Sequence, residues 1–170
     1  MSSRIRHSLL RLAPGLAVAS AASASELTAT IELPRLDVAE YHRPYVAVWL
    51  EGPDKAHHDV NVWYALRGRG ETWLKDIRQW WRKSGRTLEL PIDGLSGPTR
   101  PVGTHEVKVP LALSNSLTEG AEYALVVEAV REVGGREVVR VPFTWSSSQA
   151  LNASAKGERE LGAVTLRKTD

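Results

Sequence analysis

Residues 72–85 gather side chains with chemistry to offer. Trp73, Trp80 and Trp81 stand among Lys75, Arg78, Arg82 and Lys83. Indole faces stack on flat groups and attract cations, and guanidinium forks pair with carboxylate or phosphate. Over residues 67–86 seven positive residues meet only Glu71 and Asp76, a local charge of +5. This pattern predicts a basic aromatic surface for an anionic partner, with Trp81, Arg78, Arg82 and Lys75 as contacts and Trp63 as a further candidate. The competing expectation is that Trp73, Ile77 and Trp80 fill a core and the cations form a solvated outer face. Trp81 is then the exposed indole.

Other groups offer less. Arg100 lies between Pro98 and Pro101, where a stiff loop can hold it against a carboxylate or phosphate. It can equally fix the helix by pairing with Asp76 or Asp93. His57 and His58 stand beside Asp54 and Asp59, in a segment read as loop, with His42 and His105 elsewhere. Neutral imidazole suits copper, zinc or haem iron. Adjacent histidines point apart, however, and no i,i+4 or H-x-H spacing supports a chelate. His57 and His58 are therefore weak metal candidates. No G-x-S-x-G or S-x-x-K constellation occurs, so no catalytic residue is assigned and no motif requires a cofactor.

Composition narrows the class. At 170 residues the chain is one domain by size. It has no cysteine, which removes disulfides, thiolate metal sites and cysteine nucleophiles. Arg4, Arg6 and Arg11 precede a small-residue apolar run, and Ala22-Ser23-Ala24 reads as a cleavage site. Residues 1–24 are thus expected to be a signal peptide and residues 25–170 the mature domain, exported to the periplasm. Losing three leader arginines turns the formal +2 into −1, so overall charge gives no case for nucleic-acid binding.

The elements that must position these groups read mostly as strands. Residues 26–33 alternate, with Leu27, Ala29, Ile31 and Leu33 on one face. Residues 45–50 are apolar on both faces and read as a central strand. Residues 59–66 come next, with Val60, Val62, Tyr64 and Leu66 expected on one side. A helix is expected near 72–84, with Thr72 as N-cap, a Glu71–Lys75 pair and Gly85 as left-handed C-cap. A short strand at 87–90 and an irregular loop at 91–103 succeed it. Residues 106–113 read as a strand with Val107, Val109 and Leu111 inward. Tyr123 opens a strand after Leu117-Thr118-Glu119-Gly120, a pattern similar to the tyrosine corner of immunoglobulin-like sandwiches. Gly134-Gly135 reads as a hairpin with both glycines at positive φ, and residues 137–145 return with Val139, Val141, Phe143 and Trp145 on one face. Residues 146–158 read as loop and 161–167 as the last strand. The expected fold is all-β: an immunoglobulin-like antiparallel sandwich of seven or eight strands with one inserted Trp-rich helix.

Several segments in order resemble one family. They are Arg43-Pro44-Tyr45-Val46-Ala47-Val48-Trp49-Leu50, Val62-Trp63, Trp73-Leu74-Lys75-Asp76-Ile77-Arg78-Gln79-Trp80, Ser96-Gly97-Pro98-Thr99-Arg100-Pro101-Val102-Gly103, Glu128-Ala129-Val130-Arg131-Glu132-Val133-Gly134-Gly135 and Leu161-Gly162-Ala163-Val164. Together they are similar to DUF2271, a family of predicted periplasmic proteins. The chain departs from the family at Pro98, where the loop reads nearer G-A-T-R. It departs again at His105-Glu106-Val107-Lys108-Val109, where members carry a W-D-G-type stretch. The resemblance implies export, a sandwich fold and the company of PepSY-type membrane proteins and of flavin-attachment or iron-uptake proteins. It carries over no catalytic residue.

Two functions are expected from these observations. The first is a non-catalytic periplasmic accessory module that serves a membrane-bound flavin- or iron-linked redox or uptake system through its Trp/Arg surface. Its partner would be an envelope or inner-membrane protein of PepSY type, with peripheral membrane contact. The second is a binding protein for a small ligand: a metal, haem, flavin or sugar.

Overall fold

A computed structural model describes residues 26–169; the leader and its cleavage site lie outside them. Among the described residues the nine strands are β1 (Glu26–Leu33), β2 (Tyr45–Glu51), β3 (His57–Tyr64), β4 (Ser96–Pro98), β5 (Gly103–Lys108), β6 (Glu122–Val130), β7 (Arg136–Thr144), β8 (Asn152–Lys156) and β9 (Ala163–Thr169). They form a four-stranded sheet in the order β5-β1-β9-β8 and a five-stranded sheet in the order β4-β3-β2-β6-β7. Every pairing is antiparallel except β3 with β4. The fold is an all-β sandwich, as the spacing of apolar segments predicts. The helical segments are short: α1 (Arg78–Lys83), α2 (Leu111–Asn115) and three 3-10 turns.

The main core lies between the sheets. Leu27, Ala29, Ile31 and Leu33 of β1 face Val46, Val48 and Leu50 of β2 and Leu125, Val127 and Ala129 of β6. Val139, Val141, Phe143 and Trp145 extend it along one face, in the predicted alternation. Tyr123 also keeps its predicted bond: the Thr118 amide donates to the Tyr123 phenol oxygen at 3.0 Å, tying the start of β6 to the preceding turn.

A second core lies on the outer face of the five-stranded sheet. Ala47, Trp49, Val62, Tyr64 and Val126 meet Leu74, Ile77 and Trp80 from the segment between β3 and β4. This explains why β2 is apolar on both sides, since one face meets the other sheet and the other a helical cap. Packing such a face against another element is how a sheet avoids leaving apolar surface in water.

The cap is not one helix. Gly70–Asp76 is a 3-10 segment, Ile77 breaks it with ψ 74, and Arg78–Lys83 is α-helical. Three residues per turn put Leu74 and Ile77 on the same side, both inside the second core. Thr72 makes no capping bond, Glu71 and Lys75 do not pair among the described residues, and Gly85 avoids the left-handed region. Gly85 serves close packing instead, because a Cβ there would strike the Trp80 ring.

Several further expectations change. Register slips between Val48 and Trp49, which pair with Asn61 and Asp59 and leave Val60 as an extra residue. Such a bulge exchanges the faces of the residues on either side of it, so Val60 and Trp63 join the inter-sheet core while Val62 and Tyr64 face the cap. His57 and His58 lie in β3 rather than in a loop. Residues 87–90 form no strand, whereas 91–103 contains β4 and 146–158 contains β8. Strand β5 stops at Lys108, and Leu111 begins α2 with its side chain exposed. At the β6–β7 hairpin the left-handed residue is Val133, at φ 53, and neither glycine has positive φ. Gly134 and Gly135 are needed for close approach, since a Cβ on either would meet the Arg131 guanidinium or the Glu160 carboxylate.

Candidate functional site

The cap is fastened to the sheet by two acids, one fully and one partly buried. Helix α1 has no local side-chain cap, so its first amides need an acceptor from elsewhere. Glu128, fully buried on the outer face of β6, supplies it. Its carboxylate accepts from the amides of Gln79, at 3.0 Å, and Trp80, at 3.0 Å, and from Arg136 Nε at 2.6 Å. A carboxylate at a helix N-terminus is favoured by both the free N–H groups and the local dipole.

The second acid is Asp59 in β3. Its Oδ1 accepts from the Trp80 indole at 2.7 Å and the Ser84 hydroxyl at 2.9 Å, and lies 2.9 Å from His57 Nε2. Burial alone would push this carboxyl up, but the hydrogen bonds from His57, Ser84 and Trp80 outweigh it and hold the pKa below its ordinary value. The His57 ring lies tilted against Trp49 at 5.5 Å. A Ser, a His and an Asp meet here, yet the same nitrogen, His57 Nε2, faces both Asp59 and Ser84, at 3.1 Å from the latter. A nucleophile triad needs the acid on one ring nitrogen and the hydroxyl on the other. This cluster joins the end of the cap to β3.

The candidate surface residues divide. Lys75, Arg78 and Arg82 are exposed on the cap, with Arg67, Arg69, Lys83 and Arg86 beside them in sequence and likewise exposed. None of the seven pairs with an acid among the described residues. Arg82 Nε donates only to the carbonyl of Arg78, at 3.1 Å. Trp81 is half-buried, packed at the margin of the second core beside Trp80. Trp80 is sealed, whereas Trp73 is 53% exposed.

Trp63 and Arg100 do not join this group. Trp63 is buried in the inter-sheet core, and Arg100 lies over its ring at 5.7 Å, with His105 against the edge at 5.7 Å. Arg100 pairs with neither Asp76 nor Asp93 among the described residues. It is an exposed cation held by a tryptophan face at the β4–β5 connection. His57 Nε2 is occupied by Asp59 and Ser84, and the described residues contain no group of three His, Cys, Asp or Glu able to hold a metal ion.

Beside the cap, at the β6–β7 hairpin, lies a cleft of about 240 Å³. Tyr45 and Val130 come from the five-stranded sheet, Trp73 and Asp76 from the cap, Arg43 from the lead into β2, and Arg131, Glu132 and Val133 from the hairpin. The Tyr45 hydroxyl is spent on the Gly70 carbonyl at 3.1 Å, which fixes the entry to the cap. Arg131 is gripped by Glu160 through Nε at 2.9 Å and Nη2 at 3.2 Å, and the Gly135 amide donates to the same carboxylate at 2.7 Å. Sequence reasoning missed this cleft because its members come from separate segments. It missed Glu128 as well, although a lone acid inside the run Leu125-Val126-Val127-Glu128-Ala129-Val130 was a signal for a buried partnered carboxylate.

No helix among the described residues is long and apolar enough to cross a membrane. No curated protein and no solved structure matches the chain. A family model described as "Predicted periplasmic protein" does match, over residues 26–163. That span runs from β1 to the start of β9 and takes in the cap, the cleft and all of the two cores but Val164 and Leu166, and the chain therefore belongs to the DUF2271 family of predicted periplasmic proteins.

Proposed function

We propose that this chain is a non-catalytic periplasmic binding module whose cationic cap receives an acidic face of an envelope or inner-membrane protein. One observation carries the reading: seven exposed cations on and beside the cap have no acidic partner among the described residues. Cations fixed on a packed scaffold lose little freedom when a partner arrives, and their summed field steers encounter. The grouping of Ser84, His57 and Asp59 is spent on structure, which supports a role without catalysis. A PepSY-type protein of a flavin- or iron-linked system is the partner class to try first, on the strength of the family resemblance.

The test is capture from solubilised envelope by mature protein, with bound proteins identified by mass spectrometry. The Lys75→Glu, Arg78→Glu, Arg82→Glu variant should fold with a stability within about 1.5 kcal/mol of wild type, since each surface change is worth about 0.5 kcal/mol or less. It should lose an inner-membrane partner that wild type retains, and wild type should release that partner at about 1 M salt, where charges are screened beyond roughly 3 Å. Equal capture by both proteins, or capture of anionic lipid vesicles alone, would count against a protein partner. A second reading, small-ligand binding, is favoured by the cleft beside Trp73.

A further inference from the structure

The cleft combines an exposed indole with polar groups of both signs. Trp73 is 53% exposed, and Val133 in the same lining is 83% exposed. Val133 is also held at φ 53, a conformation a β-branched residue rarely adopts and one found at binding sites more often than elsewhere. The charged lining is Arg43, Arg131, Asp76 and Glu132, and of these Arg131 is already held by Glu160. Arg43 and Asp76 form no ion pair among the described residues, and Glu132 meets only His42, at 3.6 Å. Arg131 in the same wall is 7% exposed, and its Nη1 has no hydrogen-bond partner among the described residues.

These features select by elimination. An anion would meet Asp76 and Glu132, and an organic cation would meet Arg43. A wholly apolar ligand would cover charged groups without satisfying them. What fits is a neutral group with an apolar face for the indole and an edge that both donates and accepts hydrogen bonds. Carboxylates take hydroxyl protons, and guanidinium donates to hydroxyl oxygens. A pyranose ring has both surfaces. The volume of about 240 Å³ lies below the roughly 300–1,000 Å³ of sites for drug-sized molecules, a size that suits one sugar ring.

We propose that this cleft binds a single pyranose ring of a glycan, with Trp73 as the stacking face and Arg43, Asp76 and Glu132 bonding its hydroxyls. The stretch around Trp73, Trp80 and Trp81 is short of acids along the chain, which counts against a sugar site on sequence grounds. The fold supplies one, Glu132, from a hairpin far along the chain, and sets Asp76 in the same lining. The inference deepens the small-ligand reading and is independent of the cationic partner surface.

The experiment is a titration of ¹⁵N-labelled mature protein with methyl β-D-glucopyranoside and with methyl N-acetyl-β-D-glucosaminide, each to about 20 mM, a range suited to millimolar binding. Tetramethylammonium and inorganic phosphate serve as charged probes. The expected result is saturable movement of the Trp73 indole signal and the Val133 amide with at least one sugar. Trp73→Ala should weaken binding about tenfold or more, Trp73→Phe should keep part of it, and Arg78→Glu should leave it intact. If Trp73→Ala does not fold, Asp76→Asn with Glu132→Gln decides, with a comparable weakening expected. The inference is overturned if neither sugar moves these signals, if only tetramethylammonium or phosphate does, or if sugar binding survives these changes. None of those outcomes bears on envelope capture by the Arg78 and Arg82 surface.

Discussion

The five-stranded sheet is buried on both faces by different means. Its inner face meets the other sheet mainly through aliphatic and aromatic side chains, from Val46, Val48 and Leu50 to Leu125, Val127 and Ala129, with polar ties where Arg131 and Glu137 meet the β8–β9 connection. Its outer face meets a short, broken helical cap around two buried indoles, Trp49 of the sheet and Trp80 of the cap, and that cap is fastened by Glu128 and Asp59. The inner contact draws chiefly on apolar area, which is non-directional. The outer contact needs particular donors and acceptors, which makes it specific in geometry and sensitive to single changes. A cap too short to be a stable helix alone is thereby held in one position. Its outer residues are left free to carry charge.

Glu128 gives the largest expected effect. Glu128→Ala leaves the Gln79 and Trp80 amides without their acceptor and frees a partly exposed Arg136, and each buried donor left unsatisfied costs about 1–3 kcal/mol. Urea unfolding should show that loss, and amide exchange should quicken over residues 70–87 while β1 and β9 stay protected. Uniform loss of protection would break the distinction between the two faces. Trp80→Phe comes next. It keeps most of the ring but removes the indole donor to Asp59, at a cost of about 1–3 kcal/mol, again with exchange localised to the cap.

The smallest effect is one of pH. The folded pKa of Asp59 is depressed, so its contribution is fully present above the unfolded value of about 3.9 and fades as pH falls through the lower folded value. Wild type should therefore lose cap protection below about pH 4. Asp59→Asn should start less stable and lack that part of the acid dependence. Glu137 tests the contrast at the β8–β9 connection. Burial raises its pKa, but the amides of Glu158, Leu161 and Arg159 outweigh this and lower it. Its protonation below about pH 4 should loosen the β8–β9 connection and leave exchange in the cap unchanged.

Legibility in the sequence divides along the same line. The alternation of β1, β6 and β7 and the doubly apolar β2 are written in local order, because a two-residue period states which face is buried. Tyr123 was legible because its partner, the Thr118 amide, is only five residues away. Strand β8 was not, since its Asn-Ala-Ser-Ala-Lys run has no large apolar residue and its alternation emerges only against β9. The break at Ile77 was hidden for another reason. Spacings of three and four residues fit one continuous helix as well as a 3-10 turn leading into a short one, and Glu128, nearly fifty residues on, selects the second.

The sequence by itself determined the class of fold and the positive charge of residues 67–86, because periodicity and composition are properties of neighbours along the chain. Tertiary structure alone decided which tryptophan is sealed and which is exposed, where the register slips at Val60, and that Trp73, Asp76, Arg43 and Glu132 share one cleft. Those outcomes depend on what packs against each residue from distant segments, and a side chain's own neighbours in sequence do not encode that.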